Sequence, residues 1–208
     1  MHPRPLIQIV SAAEGFALAG AAGVILLQAL DCGAALEFRR TLLAAEPWRL
    51  LTGHLVHSGW RHALLNSAAW IALARLFGRE LGPARQAVVL AACMLGTSLL
   101  LWQMAPAVSW YRGLSGALHG LCAAGAVLWL AQPQERNGSD ARHDRILPAL
   151  LLAGILAKVL IEQRGAAPPW MQNWIGVTVI TQSHLFGAAI GTAAGGILSF
   201  RQPENIES

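Results

Sequence analysis

Six stretches of the chain are almost continuously apolar, and the polar residues gather in short segments between them. The runs cover approximately residues 11–30, 62–78, 85–105, 113–131, 146–162 and 175–200. A helix needs about 20 mostly apolar residues to cross a hydrocarbon core of about 30 Å. Each run therefore reads as a membrane span, and the fold class as an all-α, six-helix polytopic bundle. No internal repeat or low-complexity tract interrupts the pattern, and the connections are too short to hold a second domain. Residues 1–208 read as one membrane domain. No small-residue cleavage site and polar mature segment follow the first run, so it reads as a retained span and not a signal peptide. The connection over residues 31–61 is amphipathic and broken by Pro47, with too few uninterrupted apolar residues to span. It is expected at the outer interface, with Trp48 and Trp60 at headgroup depth.

Composition strengthens the reading. Charged residues make up 12% of the 208 positions and hydrophobic ones 55%, against about 25% charged in soluble domains. With a mean hydropathy of +0.48, a soluble fold would lack the charge to cover its surface. A disordered chain, a disulfide-rich secreted domain and a coiled coil are excluded on the same grounds. The net charge of +4 comes from 15 basic and 11 acidic residues. They form no basic stripe interleaved with aromatics, so nucleic acid is not an expected partner. Cys93 and Cys122 fall inside apolar runs and Cys32 has no evident mate, so neither a structural disulfide nor a Cys-ligated metal is expected. Arg4, Arg75, Arg79, Arg85, Arg136, Arg142, Arg145 and Arg201 fall on one side of the six-span arrangement. The positive-inside rule makes that side, with both termini, cytoplasmic. Arg39, Arg40, Arg49, Arg61, Arg112 and Arg164 fall on the other, so the bias is modest.

Polar groups inside spans are costly and mark functional sites by default. His62, Ser115 and His184 each lie sixteen residues above the cytoplasmic end of their run. At 1.5 Å per residue that is about 24 Å up a core of about 30 Å, so the three share one level near the outer surface. Ser115 sits in GLSG, between Gly113 and Gly116, at a helix start. Glycine permits a tight turn there, and free N–H groups favour an anion. Such a serine can attack a carbonyl while its own amide holds the oxyanion. The motif equally suits close helix packing in lipid. SHLFGAAIG places His184 ahead of Gly187, Gly191 and Gly195, a smooth strip that matches Gly116, Gly120 and Ala124. Pressing the strips together would bring His184 to Ser115 as its base. His62 and Asn66, one turn apart, offer uncharged donors for an oxyanion hole, or simply interhelical hydrogen bonds. His119, four residues after Ser115, competes with His184 for the base role; a mate from another helix fits the glycine strips better, which leaves His119 a supporting polar part. His54, His57 and His62 have no HExxH and no nearby carboxylate, so no metal and no cofactor are expected.

Together these residues resemble the rhomboid family of intramembrane serine proteases, over positions 47–195. Trp48-Arg49 resembles the family's WR pair, His62-x-x-x-Asn66 its HxxxN, GLSG its nucleophile motif and SHLFGAAIG its last-span histidine motif. The resemblance implies a six-helix bundle whose water-filled cavity opens outward. It implies a Ser115–His184 dyad with no acidic third member, and an oxyanion hole of His62, Asn66 and the Ser115 amide. Trp48, Arg49 and His57 match structural positions. GLSGALHGL, in a chain with no appended soluble domain, is similar to the rhombosortase branch. That branch implies a bacterial inner-membrane enzyme, its site facing the periplasm, that cleaves Gly-Gly tail anchors of exported proteins. Membrane lipids and a membrane-anchored protein substrate are the implied partners; no oligomeric state follows. Ser183 and His119 depart from common family residues. Two rivals from other classes are a non-catalytic rhomboid-like escort of membrane helices and a small transporter. The escort usually lacks one of the two residues. The transporter predicts inverted repeats and a midplane site, and neither is visible. Glu14, Lys158 and Glu162 carry no functional reading beyond snorkelling or pairing. Residues 132–145 read as a disordered connector, and the proline-broken stretch 164–174 as an interfacial border of the substrate gate.

Overall fold

Ser11 begins the first helix, α1 (Ala12–Ala29). Its hydroxyl accepts the Glu14 amide at 3.2 Å while the Glu14 carboxylate accepts the Ser11 amide at 2.9 Å, which satisfies two otherwise orphaned donors. The computed structural model describes residues 10–132, 139–165, 169–176 and 178–200, without the side chains of 139–144 and 169–171. After α1 come α2 (Gly33–Leu36), strand β1 (Phe38–Arg39), a short 3-10 turn, α3 (Arg49–Thr52), α4 (Trp60–Leu76) and α5 (Pro83–Met104). Strand β2 (Trp110–Tyr111), α6 (Ser115–Ala131), α7 (Ser139–Arg164), α8 (Pro169–Ile175) and α9 (Thr181–Ser199) complete the order.

The described chain is mostly helical. By length and composition α1, α5 and the Arg145–Arg164 part of α7 can cross a membrane. Helix α6 is apolar apart from Ser115 and His119 but only 17 residues long. The other two expected spans do not reach that standard: α4 is 17 residues long and carries Arg61, His62, Asn66 and Arg75, and α9 opens on Thr181-Gln182-Ser183-His184.

Three boundaries differ from the sequence expectation. The last run was expected from residue 175, but α9 begins at Thr181, because α8 ends at Gly176 in a left-handed conformation (φ 87°) and residues 178–180 are not helical. Residues 132–145 are not one irregular connector, since α7 already starts at Ser139 and runs through Pro148; residues 133–138 lie outside the described set. The stretch 164–174 likewise contains α8. Of the arginines behind the topology, Arg4, Arg136 and Arg201 and the side chain of Arg142 lie outside the described residues.

The 31–61 connection departs most from expectation. Trp48 and Trp60 are about half exposed, but the segment between α1 and α4 has its own packed interior. Phe38 and Leu43 bury against Leu101, Ala105, Val108 and Tyr111, and β1 pairs antiparallel with β2 (Phe38 with Tyr111, Arg39 with Trp110), a small ribbon in an otherwise helical chain. Arg40 closes the end of α5: its guanidinium donates to the carbonyls of Leu101 (2.7 Å), Trp102 (2.6 Å), Ala105 (2.8 Å) and Val108 (2.9 Å). A cation at a helix C-terminus satisfies orphaned carbonyls and complements the dipole. Arg49, buried, donates to the carbonyls of Ala34 and Glu37 and pairs with Glu46. Buried Glu37 pairs with Arg39 and Arg112. Arg39, Arg40, Arg49 and Arg112, which weaken the expected charge bias, are therefore structural and say little about orientation.

At the centre, α6 packs most extensively against α9, with α5 and α7 alongside. A Cβ on Gly187 would overlap the Gly116 carbonyl, and one on Gly191 the Gly120 carbonyl; one on Gly195 would sit 2.9 Å from Ala124 Cα. Here glycine lets two backbones touch. On the far side of the bundle α1 packs against α4, where Trp70 fills the space a side chain on Gly20 would need. Glu14, one of the intramembrane acids without a functional reading, pairs with Arg75 at 2.7 Å.

Candidate active site

Three helix beginnings meet at one cavity of about 200 Å³. Ser115 opens α6, His62 is the third residue of α4 and His184 the fourth of α9, and all three line it. A helix start leaves four amides without intrahelical acceptors and carries the positive end of the dipole.

The turn into α6 is held from several directions. Gly113 adopts φ 121°, a left-handed conformation that favours glycine, and a Cβ there would lie 2.6 Å from the His62 ring. Its amide donates to the Gly53 carbonyl at 3.0 Å, and its carbonyl accepts the Tyr111 hydroxyl. The Leu114 amide donates to His57 Nε2 at 3.3 Å. Burial holds His57 well below the usual imidazole range, at about 3, so the ring is neutral and can accept that bond. His54, lowered by burial to about 4, bonds Ser98 Oγ at 2.9 Å and meets the Tyr111 ring edge-on. Arg112, one residue before Gly113, is tied to buried Glu37 at 2.6 Å. The folded 31–61 segment thus braces the serine turn.

Ser115 Oγ lies 3.0 Å from His184 Nε2. His119 turns elsewhere: its Nδ1 lies 2.7 Å from the Ser115 carbonyl oxygen, and its ring stacks on His184 at 4.2 Å between centroids and 11° between planes. A carbonyl only accepts, so His119 Nδ1 carries its proton and Nε2 is left with a lone pair. That lone pair accepts from the Lys158 ammonium at 3.0 Å. Lys158 also donates to Glu162 Oε1 at 2.6 Å, and Glu162 Oε2 lies 2.8 Å from His184 Nδ1. The contacts close a ring that starts at the Ser115 hydroxyl and returns to the Ser115 carbonyl. One set of proton positions satisfies every member: Nδ1–H on both histidines, a carboxylate and an ammonium.

His62 and Asn66 line the same cavity but make no direct bond to Ser115. The Asn66 amide donates to the His62 carbonyl at 3.1 Å, and His62 Nδ1 is buried with no hydrogen-bond partner among the described residues. Gly116 and Gly187 lie in the backbone seam that sets the approach of α6 to α9. Trp48 and Arg49 stand apart from the cavity.

The rhomboid domain model matches residues 44–201. The chain belongs to the rhomboid family. The family is made up of intramembrane serine proteases that act on membrane-embedded protein substrates, and membership identifies a multi-pass membrane protein. No curated protein matches the chain. The matched segment contains all four motifs, the folded 31–61 connection after residue 43 and the whole cavity lining named here. Against a rhomboid dyad without an acid, the carboxylate beside His184 is a departure. Sequence reasoning left Lys158 and Glu162 without a role, and also missed Tyr111 and Glu37. The one available signal was the i, i+4 spacing of Lys158 and Glu162, which puts both on one helix face inside an apolar run.

Proposed function

We propose that this rhomboid is an active intramembrane serine endopeptidase, with Ser115 as nucleophile and His184 as general base and then acid. The observation that carries the reading is the 3.0 Å contact between Ser115 Oγ and His184 Nε2 at the wall of a cavity where three helix N-termini converge. Ser115 Oγ attacks the scissile carbonyl carbon while its proton passes to Nε2. The tetrahedral intermediate places its oxyanion near the Ser115 amide, with His62 and Asn66 as further donors, each worth about 3 kcal/mol of barrier in comparable sites. Collapse breaks the C–N bond, and His184 returns the proton to the leaving amine. Water then gives a proton to His184, attacks the ester and releases Ser115 with its hydrogen restored.

The six long helices α1, α4, α5, α6, α7 and α9 are read as six spans of a single domain, with both termini cytoplasmic and the cavity opening outward. In a bacterium that places the protein in the inner membrane with its site on the periplasmic side. Helix α8 and residues 178–180 border the cavity through Ile175, Thr178, Val179 and Ile180, which suits a gate for substrate. A substrate helix hides its carbonyls in hydrogen bonds, so segments rich in glycine, which leave the helix at about 1 kcal/mol less per residue than alanine, are favoured. That preference and the GLSGALHGL motif support a rhombosortase-like substrate, a Gly-Gly pair before a C-terminal tail anchor.

The test is processing of a membrane reporter with Gly-Gly ahead of an apolar tail. Ser115→Ala and His184→Ala should each abolish cleavage with membrane insertion unchanged; cleavage by both variants at the wild-type rate contradicts the assignment. Mass spectrometry of exported proteins from cells with and without the gene reads the substrate class from shifted C-termini. A non-catalytic escort would leave a covalent serine probe unreacted.

A further inference from the structure

Glu162 sits in the last turn of an edge helix and has no counterpart in the dyad just proposed. Its side chain is 6% exposed and that of His184 is 5%. A carboxylate this buried in a membrane protein is costly unless paired and hydrogen-bonded. Both its oxygens are used: Oε1 accepts from Lys158 at 2.6 Å and Oε2 from His184 Nδ1 at 2.8 Å. Lys158 Nζ is also 3.5 Å from that same Nδ1. Two donors cannot bond each other, so with the proton on Nδ1 the carboxylate takes the bond and the ammonium turns to Glu162 and His119.

We propose that Glu162 is a positioning residue that converts the Ser115–His184 couple into a three-membered relay, with Lys158 as its counter-charge. This rests on the catalytic reading above. The carboxylate acts through His184 in two ways. It accepts the Nδ1 proton, which fixes the tautomer that leaves Nε2 free to take the Ser115 proton. Once Nε2 is protonated, the anion lies 2.8 Å from the imidazolium and stabilises it. Lys158, its side chain 39% exposed, neutralises Glu162 in the resting enzyme, so the pair carries no net charge before His184 is protonated. His119 ties Lys158 to the Ser115 carbonyl, so the charges of α7 are referenced to the nucleophile's own backbone.

Substitution separates this role from a merely structural one. In Glu162→Gln the single amide oxygen is drawn to the donor-only ammonium of Lys158. Its NH₂ then faces Nδ1, which forces the proton onto Nε2 and disables the base. Lys158→Met/Glu162→Gln removes the unpaired ammonium, so it protects the fold and frees the amide oxygen for Nδ1–H, yet leaves no anion beside His184. With the full chain in proteoliposomes, two readouts are taken: the rate at which a fluorophosphonate labels Ser115, and kcat and KM on the Gly-Gly reporter.

We expect Glu162→Gln to lower the labelling rate and kcat by about 100-fold or more, with KM unchanged. The double variant should match the wild-type melting temperature yet stay at least about 10-fold slower, the residual deficit of a base without its anion. Glu162→Asp, which keeps the charge, should recover part of the rate. A folded double variant that labels and turns over at the wild-type rate overturns the proposal, as does a loss confined to KM. Ser115→Ala runs in parallel: if it still cleaves, the catalytic reading fails, and if it is inert while Glu162→Gln is fully active, only the relay fails.

Discussion

Helices α6 and α7 both contribute to the cavity, but they are held in place by different physics. Helix α6 is buried along most of its length, and its seam with α9 is backbone against backbone, with carbonyls of Gly116 and Gly120 where a side chain on Gly187 or Gly191 would stand. Helix α7 runs along the edge. Leu147, Leu150, Leu156, Leu160 and Ile161 are exposed, and Pro148, Val159 and Glu162 are its buried residues among the side chains described. Within a membrane such leucines gain little by packing, because lipid is as apolar as they are. Where α7 reaches the site, polar contacts join the buried Val159: Lys158 and Glu162 meet His119 and His184, and Gln163 donates to the Thr181 carbonyl at 3.2 Å. The serine and histidine thus sit on the seam with no tolerance for a methyl group, and the charged pair sits on a helix with room to shift.

The same substitution in the two places should have opposite signs. Gly191→Ala puts a methyl group into the Gly120 carbonyl and can be accommodated only by separating α6 from α9. We expect a loss of about 3 kcal/mol or more, read by reversible unfolding in mixed micelles, and with it a loss of fluorophosphonate labelling as Ser115 and His184 part. A Gly191→Ala protein of wild-type stability would show that the seam is looser than described.

Acidification should act next, on the brace beneath the seam. His57 is neutral in the fold with its proton affinity held down to about 3, against about 6.5 when exposed. Between those values the unfolded chain binds more protons, so this contribution is complete above about pH 6.5 and is lost as pH falls toward 3. The melting temperature should therefore drop between pH 7 and pH 4.5, and drop less in His57→Gln. An equal drop in both would remove His57 as a cause. The smallest effect belongs to α7: Gly154 has open space where its side chain would be, so Gly154→Ala should stabilise by about 0.5 kcal/mol through helix propensity alone. Destabilisation by more than 1 kcal/mol would mean that α7 is packed as tightly as α6.

This contrast also explains what was legible in the sequence. The apolar runs reveal the long helices to within a few residues, except at α7, which starts at Ser139 ahead of its apolar run, and at α9, where an extended approach precedes Thr181 and hydropathy does not distinguish the two. The glycine strips are legible because close approach needs small residues at fixed spacing. Glu162 against His184 was not legible. The two are 22 residues apart on different helices, and the rotation of an edge helix in lipid leaves no hydrophobic periodicity to say which face looks inward. The ribbon of Phe38 with Tyr111 and the Arg40 cap on α5 were hidden for a similar reason, since their partners are more than 60 residues away. Local patterns report local structure, and the electrostatic part of this site is not local.

The central claim is that Ser115 is a nucleophile activated across the α6–α9 seam by His184. The most direct measurement is intact-protein and peptide mass spectrometry after treatment with a fluorophosphonate. The account predicts a single adduct on Ser115 in the wild-type chain and none in His184→Ala at the same reagent concentration and time. An adduct that forms equally fast in His184→Ala, or one on a residue other than Ser115, would contradict it.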